Sequence, residues 1–240
     1  MRKGWVLLAA VLVACGDTER SPTAVPTMGA PAPGGSRGPK GPKGGDEPRV
    51  DDFDVLDLSR WIPGNHGLGK GWLDPANVVP GAGTVLLGLP AGSYDGAEIR
   101  SAERYGYGTF EARMLTPAAP GSISAFFLYE LRRRQNEEID IEILNDGSRR
   151  LLATTWVRGR MTNHANLPLA FDPSAEFHDY RIEWSRSRVR ISVDGQAMVE
   201  WTEGLPGGKL YVMSNNWWPT WQEGPVLAQP AWLEIDRIQY

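Results

Sequence analysis

Strict alternation of acidic and aliphatic residues marks the segment 136–144. Three acids and three isoleucines take alternate positions there: Glu138, Asp140 and Glu142 against Ile139, Ile141 and Ile143. Because successive side chains of a strand point to opposite faces, this pattern predicts a β-strand with a buried aliphatic face and an acidic face. Like charges on one face destabilise a sheet, and Asp is disfavoured in strands. Either the acids form a solvated face, or their coupling sets pKa values for catalysis.

The same period of two recurs from Asp51 to the end of the chain, with no helical period of comparable length. The predicted strands are 84–89, 97–103, 108–115, 122–130, 137–144, 150–157, 179–185, 189–194, 197–201, 209–217 and 232–240. Asp194-Gly195 between two alternating runs predicts a tight hairpin. Many short strands at this spacing indicate an all-β fold: a β-sandwich or jelly roll of two curved antiparallel sheets, with a concave substrate cleft.

Composition is consistent with one globular domain. The chain has 240 residues, 41% of them hydrophobic and 22% charged, with a net charge of −4. This length allows a sizeable core. The mild acidity argues against a nucleic-acid partner, since phosphate binding requires a basic surface. We expect a monomer.

The N-terminus has the features of an export signal. Arg2 and Lys3 precede an apolar run that is too short to span a bilayer and ends at Leu12-Val13-Ala14-Cys15. This ending resembles the bacterial lipobox, which implies a signal peptide over residues 1–15 and a lipid on Cys15. Such a chain is exported and anchored to the cell envelope, facing the periplasm or the cell surface. The alternative is a secretory signal that happens to contain a cysteine.

Residues 16–48 are rich in Pro and Gly and have almost no large apolar side chains. Such a segment cannot bury enough surface to offset its ordering entropy, so it is predicted to be a disordered linker. The catalytic domain is then expected over residues 49–240.

A retaining glycosidase requires two carboxyl groups about 5–5.5 Å apart. Glu138 and Glu142 are four residues apart, so on a flat strand their Cα atoms lie roughly 13 Å apart. The two carboxyls can converge only if the sheet is concave at this point. Asp140 between them would hydrogen-bond the nucleophile and help to keep one neighbour protonated.

The segment Glu138-Ile139-Asp140-Ile141-Glu142 resembles the signature of glycoside hydrolase family 16, in the form that lacks an extra bulge residue. This form is similar to lichenases and to xyloglucan-active members. Other segments that resemble the family are 96–101, 105–111, 126–129, 193–195 and 236–240. The resemblance implies a retaining endo-β-glucanase that cleaves internal β-1,3 or β-1,4 bonds of a β-glucan, without a cofactor for catalysis.

Residue roles follow from the resemblance. Glu138 would be the nucleophile, Asp140 its assisting acid and Glu142 the general acid/base. Residues that would bind sugar are Glu98, Arg100, Phe127, Trp156, Asn215, Trp217 and Asn65. The sequence departs from lichenases at Asn136, where they have tryptophan, and in a shorter preceding loop that carries Arg132-Arg133-Arg134. These changes lie around the predicted sugar-binding subsites, so they bear on which substrate is bound rather than on the type of reaction.

Several residues have two interpretations. Arg132–Arg134 could select an anionic polysaccharide or form a solvated loop. Trp218 and Trp221 could stack on sugar or pack in the core, and His66 could contact sugar from a Gly-rich loop. Lichenases bind a structural calcium ion through an equivalent of Asp236 and two backbone carbonyls, which here would belong to Val55 and Gly83. Calcium favours such oxygen ligands.

Two other functions remain open. A transglycosylase would use the same carboxyls, because the partition between water and sugar acceptor depends on the acceptor subsites. A non-catalytic carbohydrate-binding jelly roll would share the concave aromatic face, although sugar binding alone does not require three adjacent acids.

Overall fold

The computed structural model describes residues 49–240, so the predicted signal peptide, Cys15 and the linker lie outside the described residues. Strands dominate this part of the chain, with one short 3-10 turn at Pro75–Asn77. The strands are β1 Val50–Asp51, β2 Trp61–Pro63, β3 His66–Leu68, β4 Gly71–Leu73, β5 Val78–Pro80, β6 Val85–Leu89, β7 Ala97–Tyr105, β8 Gly108–Leu115, β9 Ile123–Arg132, β10 Gln135–Leu144, β11 Arg150–Val157, β12 Arg160–Pro168, β13 His178–Trp184, β14 Val189–Val193, β15 Gln196–Trp201, β16 Leu210–Trp217 and β17 Ala231–Gln239.

Two large antiparallel sheets form the domain. The first has the strand order β15-β14-β13-β8-β17-β6-β5, with β1 also paired to β17. The second, which we call the site sheet, has the order β12-β11-β10-β9-β16-β7-β2, and β3 and β4 form a separate hairpin. This architecture confirms the all-β sandwich predicted from the period of two.

The core lies between the two sheets, and alternation along each strand fills it. In β10 the side chains of Ile139, Ile141 and Ile143 are fully buried, as the sequence pattern predicted. Burial of one such side chain contributes about 1.5–3 kcal/mol to folding. Residues of the first sheet complete the core, among them Phe110 and Ile235. The acids of β10 consequently face away from the core.

The prediction missed the five short strands β1 to β5, each of two or three residues, as well as β12, and it misplaced one loop. Strand β12 was missed because it lies at the edge of the site sheet, where every second residue is exposed and polar side chains replace aliphatic ones. The predicted loop between the strands 122–130 and 137–144 is a two-residue turn, with Arg132 paired to Gln135. The Asp194-Gly195 hairpin is confirmed, with positive φ at both residues.

No helix within residues 49–240 is long and apolar enough to cross a membrane.

Candidate active site

The acid triple lies on a central strand of the site sheet, on the face away from the core. Strand β10 pairs with β9 over its whole length and with β11 from Glu138 to Ile143, in both cases without a register shift. The acidic face therefore has no bulge, and the register determines which side chains lie beside each acid. Three rows of paired residues cross this face: Tyr211, Tyr129, Glu138 and Trp156; Arg100, Met213, Phe127, Asp140 and Thr154; and Glu98, Asn215, Ala125, Glu142 and Leu152.

Glu138 accepts hydrogen bonds from two neighbours on its own strand. The side-chain amide of Asn136 donates to Glu138 Oε2, and Asp140 shares a hydrogen bond with the same carboxyl. Burial raises the pKa of Glu138 to about 7, although the bonds from Asp140 and Asn136 oppose that rise. A carboxylate nucleophile must be ionised, and hydrogen-bond donors such as these favour its ionised form.

Asp140 is only 6% exposed and is held from the next strand. The Thr154 hydroxyl donates to Asp140 Oδ2, and Trp156 Nε1 donates to Thr154 Oγ1 over 3.2 Å. Burial, followed by the charge of Glu138, raises the pKa of Asp140 well above its usual range. A protonated Asp140 can donate to Glu138, as the predicted assisting role requires.

Glu142 has different surroundings from Glu138. Within residues 49–240 no hydrogen-bond donor contacts its carboxyl group. Burial raises the pKa of Glu142 to about 8, and the charge of Asp140 adds to that rise. The two glutamates thus share a face but differ in proton affinity, which two-carboxylate catalysis requires.

A second polar cluster surrounds Glu98, three strands away from Glu142 in the same row. Glu98 is 4% exposed, and both of its oxygens have partners. His66 Nε2 lies 3.0 Å from Glu98 Oε1, and Asn215 Nδ2 donates to Glu98 Oε2 over 3.2 Å. The hydrogen bond to Glu98 raises the pKa of His66 against the effect of burial. The structure therefore places His66 with the predicted binding residues Glu98 and Asn215.

Aromatic side chains form the floor between these two clusters. The guanidinium of Arg100 lies 4.1 Å from the ring centroid of Tyr211, a cation–π contact. Phe127 and Tyr129 meet edge to face, with their centroids 6.5 Å apart. Phe127 is nevertheless only 7% exposed. Tyr211 and Tyr129 thus add to the aromatic residues Phe127, Trp156 and Trp217 that the sequence analysis assigned to sugar binding.

Trp217 and Asn65 lie at the other end of the site face. Trp217 is 7% exposed and packs against Leu73 and Ile123, so most of its ring is a packing surface. Asn65 is exposed, and its Oδ1 accepts a hydrogen bond from Trp72 Nε1 over 2.9 Å.

The two tryptophans with open interpretations differ in the structure. Trp218 is fully buried and contacts Tyr94 edge to face, which makes it a core residue. Trp221 keeps part of its surface exposed while it packs beside Trp217.

Asp236 lies on β17 of the first sheet, away from the site face. Its Oδ2 accepts from Arg113 Nη1 over 2.5 Å, while its Oδ1 is buried without a partner among the described residues. Residues 49–240 contain no group of three or more His, Cys, Asp or Glu side chains that could hold a metal ion. Asp236 thus offers a cation one carboxylate oxygen, beside the positive charge of Arg113. The calcium ion at Asp236 stays a prediction.

Sequence reasoning missed several residues of the site because their types carry no signal alone. Asn136 was noted only as a departure, and Thr154 and Tyr211 were not singled out. Their importance comes from pairing across strands, such as Thr154 opposite Asp140. A register deduced for the strand 150–157 would have found Thr154, because that strand directly follows β10.

Comparison with known proteins agrees with this geometry. Residues 73–220 match the family described as glycosyl hydrolases family 16. A β-glucanase of Paenibacillus macerans is 31% identical over 167 residues, which are 66% of this chain and 70% of that protein. A β-glucanase of Acetivibrio thermocellus is 30% identical over 78% of this chain but only 57% of its own length. The structure of the Bacillus licheniformis β-glucanase superposes with a TM-score of 0.75 at 24% identity, covering 82% of this chain and 98% of that one. The chain belongs to glycosyl hydrolases family 16.

Proposed function

We propose that this protein is a retaining endo-β-glucanase that hydrolyses internal β-1,3 or β-1,4 bonds of a polysaccharide. Membership of family 16 and the β-glucanases among its relatives support a β-glucan as the substrate. The continuous pairing of β10 supports the form of the signature without a bulge.

The observation that carries the proposal is the difference between two glutamates on one face. Asn136 and Asp140 hydrogen-bond to Glu138, whereas no donor within residues 49–240 contacts Glu142. Glu138 therefore loses its proton at lower pH than Glu142 does. At neutral pH this arrangement favours an ionised Glu138 beside a protonated Glu142, the pair that a retaining mechanism requires.

In the proposed mechanism Glu142 protonates the glycosidic oxygen while Glu138 attacks the anomeric carbon. This step breaks the glycosidic bond and forms a covalent glycosyl-enzyme ester. Glu142 then deprotonates a water molecule, which releases the sugar with retained configuration. Asp140 stays bonded to Glu138 and to Thr154, which holds the nucleophile in place. The two carboxyls supply this chemistry without a cofactor.

The test is a reducing-sugar assay on lichenan, laminarin and xyloglucan, with NMR of the first anomer released. Glu138→Gln should lower turnover at least about 10³-fold without a change in the fold. Glu234→Gln is the matched control, because Glu234-Ile235-Asp236 repeats half of the signature on the other sheet. Substantial activity in a clean Glu138→Gln preparation, or an inverted first product, would contradict the proposal.

The alternatives give different results in the same assay. A transglycosylase would produce longer oligosaccharides when an acceptor sugar is added, with the same dependence on Glu138. A non-catalytic binding domain would retain polysaccharide on a column and release no reducing ends from any polymer.

We also infer that the protein is an exported, lipid-anchored monomer. The lipobox-like sequence ending at Cys15 supports the anchor, and the Pro/Gly-rich segment 16–48 supports a spacer between membrane and domain. Mass spectrometry of membrane fractions should find a lipidated Cys15, and Cys15→Ala should release the protein from the membrane. An unmodified Cys15 in that fraction would contradict the anchor. Light scattering of the domain checks the monomer.

A further inference from the structure

The β3–β4 hairpin lies against one end of the site face and brings a histidine to it. The loop that leads into the hairpin is held on β7, where the Gly64 N–H donates to the Glu98 carbonyl over 2.9 Å. A Cβ atom at Gly64 would lie 2.9 Å from the Glu98 Cβ, which is closer than two such atoms approach, so glycine permits this contact. His66, two residues later, therefore lies beside the Glu98 side chain.

The contacts of the His66 ring require a hydrogen on both nitrogens. Nδ1 lies 3.2 Å from the Gly67 carbonyl oxygen, which can only accept, so Nδ1 must donate. Nε2 lies 3.0 Å from Glu98 Oε1, while Asn215 Nδ2 donates to the other oxygen of that carboxyl. Donors at both oxygens favour an ionised Glu98, so Nε2 donates as well and the ring is a cation. The hydrogen bond to Glu98 accordingly raises the pKa of His66.

His66 and Glu98 form an ion pair that other charges of the site do not share. Within residues 49–240, Glu98 is the one charged group that acts on His66, and His66 is the one cation paired with Glu98. Lys70 of the same hairpin donates instead to a backbone carbonyl. Arg100, two residues after Glu98 on the same face, lies over an aromatic ring of β16. The facing acid is Glu138, whose pKa the charge of Glu98 raises.

This end of the face has acceptors that suit sugar hydroxyls. Asn215 Oδ1 is buried without a partner among the described residues, and an unpaired buried acceptor costs free energy. Each oxygen of an ionised Glu98 can accept a further hydrogen bond besides the one that it receives. Glu98 and Glu142 belong to one row, three strand spacings of about 4.8 Å apart, so a glucan held at Glu142 can extend to Glu98.

We propose that His66 is a positioning residue for substrate binding: as a cation it holds the Glu98 carboxylate in place for sugar hydroxyls, and glucan binding weakens when His66 becomes neutral. This inference rests on the proposed function and adds to it a control of binding by pH. A neutral His66 keeps its hydrogen on Nδ1 for the Gly67 carbonyl, so Nε2 turns a lone pair towards Glu98. The ring or the carboxylate then moves, and the oriented acceptor is lost. The competing role is that His66 only fastens the hairpin.

The experiment measures polymer binding without turnover as a function of pH. Affinity electrophoresis in lichenan, laminarin and xyloglucan is run from pH 5 to 9 on the protein with Glu138→Gln and Glu142→Gln, which removes two other titrating groups of the face. With His66 present, binding should weaken about 10-fold as pH rises through the pKa of His66. With His66→Gln added, binding should stay close to its level at low pH, because the amide donates at every pH. With His66→Leu, which donates at no pH, binding should be weak throughout.

The matched control is Lys70→Gln in the same background. It removes a positive charge from the same hairpin, at a side chain that does not contact Glu98. It should keep the pH dependence of its parent even if it lowers Tm. Loss of the pH dependence in Lys70→Gln would assign the effect to the hairpin and overturn the proposal. So would the same pH dependence in the proteins with His66 and with His66→Gln.

Titration of the His66 ring by NMR gives a result that a merely structural role would not change. The chain has three histidines, so His66→Gln identifies the signal. If the protonated form binds better, then a bound glucan oligosaccharide must raise the pKa of His66, in proportion to the difference in affinity between the two forms. An unchanged pKa in the saturated complex would contradict the proposal.

These results distinguish the role of His66 from the proposed function. If the wild type cuts none of the three polymers but binding depends on His66 as described, the proposed function fails and the role of His66 stands. If the wild type cuts a polymer and its binding does not depend on His66, only the role of His66 fails. Absence of retardation in all three polymers at pH 5 would overturn that role whatever the activity.

Discussion

The side-chain amide of Asn136 donates a hydrogen bond to the carboxylate of Glu138. The two residues lie on the same face of β10, one strand repeat apart, so the contact follows directly from the alternation. The bond favours the ionised form of Glu138 and opposes the rise in its pKa that burial causes.

Asn136→Ala should slow the attack by Glu138. Without the amide the pKa of Glu138 rises, and the carboxylate loses one of the groups that orient it. We expect kcat to fall about 10- to 100-fold, as for loss of one donor to a catalytic charge, with little change in KM. Inactivation by a 2-deoxy-2-fluoro glycoside with a good leaving group measures that attack directly.

The control for this variant is Gln135→Ala, an exposed neighbour at the start of β10. Asn136→Gln should restore part of the rate if the amide is what matters. An Asn136→Ala protein that is trapped by the fluoro glycoside as fast as the wild type would show that the contact is not used.

The pH dependence should be bell-shaped and narrow. The proposed mechanism requires Glu138 ionised and Glu142 protonated, and their pKa values are about 7 and about 8. We therefore expect kcat/KM to rise with pH as Glu138 ionises, and to fall as Glu142 loses its proton. Measured from pH 5 to 10, the basic limb should disappear in Glu142→Gln assayed with a substrate whose leaving group needs no protonation. A profile that is flat over this range would contradict both assignments.

Glu142→Gln should stabilise the protein at high pH. The folded-state pKa of Glu142, about 8, lies above the usual glutamate value of 4.5. Between these values the folded state binds more protons than the unfolded state, so stability falls as pH rises. The penalty is absent below about pH 4.5 and complete above about pH 8. We expect the variant to gain about 2–4 °C in Tm for each kcal/mol relieved at pH 9, and nothing at pH 4.

Thermal unfolding of Glu142→Gln, the wild type and Glu234→Gln at both pH values checks this. Glu234 lies on the first sheet, away from the acid triple, so its variant should follow the wild type. Equal Tm values for the wild type and Glu142→Gln at pH 9 would mean that the Glu142 carboxyl is better solvated than its surroundings suggest.

The calcium prediction is tested with a chelator. Asp236 Oδ1 is buried without a partner among the described residues, so a cation there would gain a hard oxygen ligand. Saturating calcium should then raise Tm by about 5–10 °C over the chelated protein, following mass action at about 100 times Kd. Asp236→Asn should abolish the difference. A Tm that does not respond to chelator would show that Asp236 binds no calcium and pairs only with Arg113.

The sequence by itself determined the strand character of the chain and the face on which the acids lie. Alternation is a local property, so β8, β10 and β11 could be predicted nearly to their ends, and so could the burial of Ile139, Ile141 and Ile143. The carboxyl groups of Glu138, Asp140 and Glu142 then had to share the opposite face. The resemblance to family 16 rests on the same pattern.

The tertiary structure alone decided which side chains surround those acids. Thr154 contacts Asp140, and His66 and Asn215 contact Glu98, because strand register and sheet order bring distant residues together. No local pattern encodes that register, since it depends on the packing of whole strands. The different proton affinities of Glu138 and Glu142 likewise arise from burial and neighbours. The sequence shows two glutamates of one kind, and only their surroundings distinguish a nucleophile from an acid.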